Sequence, residues 1–181
     1  QLSNSKGTAS SIVIKNNDVY IGGSKQIGTF THPVYWKNGQ EVELAFENYQ
    51  GIVDEIFVSD DNVYAVGQAY GNNKTAIALY WKNTQPVTLT DGSHSASATG
   101  IYVLDNDVYV CGVSNSKAVY WKNGEEIVLS NGVSASSIKV LNGHIYVAGW
   151  DNQWAKYWDN GIPHVFWVDN DRTYATGIYV Q

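Results

Sequence analysis

An all-β fold made of four tandem four-stranded units is predicted by three observations on this 181-residue sequence. The tetrapeptide Tyr35-Trp36-Lys37-Asn38 recurs as Tyr80-Trp81-Lys82-Asn83, Tyr120-Trp121-Lys122-Asn123 and Tyr157-Trp158-Asp159-Asn160, at steps of 45, 40 and 37 residues. A second block precedes each copy: Asp18-Val19-Tyr20-Ile21-Gly22-Gly23, then Asn62 to Gly67, Asp107 to Gly112 and His144 to Gly149. The composition agrees, with 17 Gly, 13 Tyr and 7 Trp against 3 Pro, 1 Cys and no Met. β-Branched, aromatic and turn residues therefore outweigh the strong helix formers.

Each unit divides into four short strand-like runs separated by turn chemistry. In the third, a small-residue strand from Ala98 to Leu104 meets the turn Asp105-Asn106. Asp107 to Gly112 follows, its valines alternating with Tyr109 and Cys111, and a variable loop leads into Ala118 to Trp121. Asn123-Gly124 predicts a two-residue type I′ hairpin, because both central positions need positive φ. Glu126 to Leu129 is the fourth strand, and a polar return, Ser130 to Ser134, opens the next unit. Asn38-Gly39 and Asn160-Gly161 repeat the hairpin signal, while Asn83-Thr84 departs from it. Isoleucines at 12, 56, 101 and 138 mark the first strands.

Four antiparallel strands per unit of about 40 residues describe the blade of a β-propeller. A β-solenoid is the alternative, but its parallel coils have no use for Asn-Gly hairpins. The expected domain is a single propeller, 1–181, with repeats at about 9–50, 51–95, 96–133 and 134–172. Partial blade strands are expected at 1–5, where Leu2-Ser3-Asn4 resembles Leu129-Ser130-Asn131, and at 174–181, where Ala175-Thr176-Gly177-Ile178 repeats a first strand. Such ends belong to a longer propeller, join in a closing blade, or pair with another subunit, giving self-association through end strands.

Charge narrows the partners. Eleven Lys plus Arg against 17 Asp plus Glu give −6, and the lysines are scattered. Without a phosphate-neutralising patch, nucleic acid is not an expected partner, nor is an anionic membrane surface. No apolar run reaches the roughly 20 residues of a membrane-spanning helix, so membrane insertion is not expected either. Charged residues make up only 15% of the chain, below the roughly 25% of an ordinary soluble domain.

Read as Asn-Asp-Val-Tyr-Val-x-Gly followed by Tyr-Trp-Lys-Asn-Gly, the repeat resembles the blades of bacterial, Bacteroidetes-type secreted and surface β-propeller proteins. The resemblance covers about residues 9 to 180. It implies an extracellular or cell-surface location and a binding or scaffolding role. More distantly the chain is similar to tachylectin-like small propellers, without a lectin motif that maps residue by residue.

No catalytic residue, cofactor or metal is expected. The nucleophile-elbow motif is absent, and Cys111 occupies a slot where the other units carry Gly22, Val66 and Ala148, which reads as a small core position. His32, His94, His144 and His164 lack zinc spacing. Asp105-Asn106-Asp107 reads as turn chemistry, whereas Asp169-Asn170-Asp171 leaves a calcium loop open. Asp54, Glu55, Asp60 and Asp61 offer carboxylates for glycoside hydrolysis, but nothing positions them against each other. Aromatics common to every unit are structural, so the informative ones are those that break the repeat. Trp150 and Trp154 bracket Asp151 and Asn152 in the fourth unit, and Trp167 follows its last strand. Aromatic faces beside amides and a carboxylate suit sugar rings, and equally a surface protein; these five residues are the expected ligand site, with carbohydrate the first choice. Filling the space between neighbouring blades is the competing role for them.

Overall fold

The computed structural model describes residues 6–44, 46, 50–70, 75–167 and 171–181. Sixteen strands run along these: β1 (Gly7–Lys15), β2 (Asp18–Ile27), β3 (Phe30–Lys37), β4 (Gln40–Glu43), β5 (Gly51–Ser59), β6 (Asn62–Tyr70), β7 (Ala76–Lys82), β8 (Gln85–Thr88), β9 (Ala96–Leu104), β10 (Asp107–Ser114), β11 (Lys117–Lys122), β12 (Glu125–Val128), β13 (Ser134–Leu141), β14 (His144–Trp150), β15 (Ala155–Asp159) and β16 (Ile162–Val165). They form four antiparallel sheets of four strands, each in simple sequence order, and no helix occurs among the described residues.

Turn chemistry sets the registers. The hairpins Asn38-Gly39, Asn123-Gly124 and Asn160-Gly161 all hold positive φ at both central residues, as type I′ requires. Asn83-Thr84 keeps the same geometry, at φ 50° and 75°. Its departure is chemical only, and a β-branched residue pays for it in strain. Asp105-Asn106, at φ 49° and 72°, is the same turn between β9 and β10.

The repeated Asn locks two hairpins together. The backbone N–H groups of Val19, Val63, Val108 and Ile145 donate to Oδ1 of Asn38, Asn83, Asn123 and Asn160, each at 2.9 Å. Asn38 and Asn123 donate in turn to Asp18 and Asp107, which also pair with Lys37 and Lys122 at 2.9 Å. The fourth unit reverses the polarity: Asp159 stands in the lysine position and His144 in the aspartate position, 2.7 Å apart.

Inside each sheet Trp36, Trp81, Trp121 and Trp158 are fully buried. The glycine ending the second block is a close-approach position. A Cβ on Gly23, Gly67 or Gly149 would fall 2.0–2.1 Å from a carbonyl oxygen of the adjoining first strand.

The chain divides into two compact units, Gln1–Ala98 and Thr99–Gln181. In the first, Tyr20, Tyr35 and Leu44 of the opening sheet pack with Val53, Ile56 and Trp81 of the second. In the second, Tyr109, Cys111 and Leu129 pack with Ile138, Val147 and Trp158.

One expectation is corrected. Residues 174–181 form no strand, because no described backbone runs alongside them to complete a ladder. Ala175 nevertheless accepts a hydrogen bond from Ser136 Oγ, as Val53 does from Ser10. The strand expected at 1–5 and residues 169–170 of the calcium candidate lie outside the described residues.

Candidate functional site

The fourth unit departs from its sisters in a buried slot. Val34, Leu79 and Val119 precede the Tyr-Trp pair of the other units with fully buried apolar side chains. Lys156 takes that place and is only 4% exposed. A buried ammonium needs a counter-charge and acceptors, and two surround it: Asp151 Oδ2 at 2.7 Å and the Asn131 carbonyl at 2.7 Å.

Both partners of Lys156 belong to a cleft of about 380 Å³ lined by Asn131, Gly132, Val133, Asp151, Asn152, Gln153 and Trp154. One wall is the return between β12 and β13, pinned at four successive residues. Trp158 Nε1 donates to the Ser130 carbonyl, Lys156 to Asn131, Ala118 N–H to Gly132, and Val133 N–H to Trp150. Gly132 admits no side chain, since a Cβ would lie 2.6 Å from the Trp158 ring.

The opposite wall is the turn between β14 and β15. Asp151 Oδ1 accepts from the backbone N–H of both Gln153 and Trp154 at 2.7 Å, an Asx-type turn. Thr173 ties the turn down, accepting from Ala155 N–H and donating its own N–H to the Gln153 carbonyl. Burial alone would raise the Asp151 carboxyl; Lys156 and the two N–H donors outweigh it and hold the carboxyl below its usual range.

Three of the five expected site residues, Asp151, Asn152 and Trp154, line this cleft together. Trp167 does not line it, but its ring lies 4.5 Å from that of Trp154, and it is 72% exposed. Trp150 turns away, its ring meeting Tyr174 edge-on at 5.4 Å. Sequence reasoning missed Asn131, Gly132, Val133 and Gln153 as lining residues, and Lys156 as the partner of Asp151 and Asn131. The lysine had a signal, a charge in a slot where the other units hold Val or Leu. The side-chain amides of Asn131, Asn152 and Gln153 make no hydrogen bond among the described residues, so their donors and acceptors are available to a ligand.

Among the described residues no group of three or more His, Cys, Asp or Glu is placed to hold a metal ion. No family model matches this chain, and no curated protein matches it significantly.

Proposed function

We propose that the four sheets are blades of a β-propeller, and that the chain is a non-enzymatic binding module taking carbohydrate or glycoconjugate in the cleft lined by Asp151, Asn152 and Trp154. Blade-like stacking in the first unit supports the architecture, since a face of the first sheet covers β5 of the second. The observation that carries the function is the pairing of an aromatic surface with unengaged amides. Trp154, backed by Trp167, borders a cleft containing Asn131, Asn152 and Gln153. Pyranose C–H faces stack on aromatic rings while hydroxyls need paired donors and acceptors, which amides supply. The likeness of the repeat to bacterial surface blades supports an extracellular or cell-surface location.

A glycan array followed by calorimetric titration of the best binder tests this reading. Trp154→Ala should weaken binding at least about tenfold, or about 1.4 kcal/mol. An array without binding, or an unaltered affinity in the variant, overturns it.

A second reading, an assembly module, is favoured by one surface. Ile12 is 62% exposed on β1, whereas its counterpart Ile56 on β5 is 1% exposed under the first sheet. The β1 face would accept another sheet of the same repeat. Light scattering that shows a monomer at all concentrations counts against it.

A further inference from the structure

The first strands of three sheets carry a hydroxyl that joins backbone to backbone. Ser10 Oγ reaches the carbonyls of Gly22, in its own sheet, and Val53. Thr99 Oγ1 lies 3.2 Å from the Cys111 carbonyl and 2.7 Å from that of Ala135. Ser136 Oγ reaches the carbonyls of Ala148 and Ala175. Each such hydroxyl shares one proton between two acceptors.

Ser10 and Ser136 sit at a break in register, between Ala9 and Ser11 and between Ala135 and Ser137. The same break in β5 falls between Val53 and Glu55, and the residue there is Asp54. Glu55 is paired with Val66 as Ser11 is with Gly22 and Ser137 with Ala148. The Val66 carbonyl is therefore the acceptor matching the one that the hydroxyls use. An ionised carboxylate only accepts hydrogen bonds, so it cannot serve a carbonyl; the neutral acid has the one proton needed.

We propose that Asp54 is a proton-binding site in which the neutral acid donates to the Val66 carbonyl, fastening β5 to β6, and ionisation releases that link. The surroundings favour the neutral form. Asp54 is half-buried, and burial alone pushes its carboxyl up to about 6. The strands packed on β5 are β6, which has no charged residue, and β1, β2 and β3. Lys15, Asp18, Lys25, His32 and Lys37 on those strands, and Glu55 on β5 itself, make no contribution to that shift. Lys25 is engaged by Glu41 and Glu43, and Lys37 by Asp18.

The sign follows from linkage. A fold that binds this proton more tightly than the unfolded chain loses stability as pH rises from about 4 to about 6, and is level above that. Thermal unfolding of the whole chain and of Asp54→Ser across that range reads it directly. The wild-type midpoint should fall relative to the serine variant, which keeps the donor without the titration. A constant difference between the two overturns the proposal. Carbon-detected NMR titration of the Asp54 carboxyl in the unaltered chain decides the matter even if the variant does not fold. A midpoint near 6 supports the site, and one near the ordinary 3.8 of an aspartate overturns it.

Discussion

Lys156 Nζ lies 2.7 Å from Asp151 Oδ2 in a slot that three sister units fill with Val or Leu. One buried cation thereby draws the turn after β14 and the return before β13 together, since its second bond reaches Asn131. The charge pair belongs to the fourth unit alone among the four slots, since Val34, Leu79 and Val119 fill the others.

Removing only the lysine should be costly. Lys156→Val leaves Asp151 without its counter-ion and the Asn131 carbonyl without its donor. A loss of about 3 kcal/mol in urea denaturation is expected, as for a buried pair broken on one side. Adding Asp151→Ala removes the unpaired carboxylate and should recover part of that loss, the remainder reflecting the Gln153 and Trp154 N–H groups that lose their acceptor; under the proposed function it also abolishes glycan binding. The same pair sets an acid limit. The Asp151 carboxyl is held low in the fold, so its contribution is present above about pH 4 and disappears as pH falls further. Asp151→Asn should flatten that limb, which has the opposite sign to the one expected from Asp54.

Thr84 is held at φ 75° where Gly39, Gly124 and Gly161 occupy the corresponding position. Thr84→Gly should stabilise the chain by about 1 kcal/mol, because the left-handed region costs a β-branched residue about that much. A neutral or destabilising result in a denaturation midpoint would contradict the strain.

The tryptophans offer an internal comparison. Trp158 Nε1 donates to the Ser130 carbonyl at 3.0 Å, whereas Trp121 Nε1 is buried without a partner among the described residues. Replacement by Phe removes equal volume from two fully buried sites. Trp158→Phe should therefore cost about 1 kcal/mol more than Trp121→Phe, the net value of one hydrogen bond. Equal losses would deny the Ser130 bond any weight.

Much of this was legible in the chain before folding. The four repeats, their strands and their hairpins follow from local preferences, because alternation and Asn-Gly pairs act within a few residues. Asn83-Thr84 was misleading in one respect: the register of β7 with β8 imposes a type I′ turn on a pair that does not favour it. Asp159, which replaces the lysine of the other tetrapeptides, meets His144 across the hairpin. That exchange becomes visible only once the strands are paired.

The candidate site divides the same way. Asp151, Asn152 and Trp154 stood out because they break the repeat in one short stretch. Asn131 to Val133 did not, since they reach the cleft from a return about 20 residues upstream. Trp150 does not line the cleft, and its ring meets that of Tyr174, 24 residues further along the chain. By itself the sequence determined the all-β character, the four-stranded units and most turn types, all consequences of backbone preferences among near neighbours. Only tertiary structure decided that a lysine in an apolar slot would bind an aspartate five residues before it and a carbonyl 25 residues before it. A buried charge takes its partners from whatever packing brings within reach, and no local pattern specifies them.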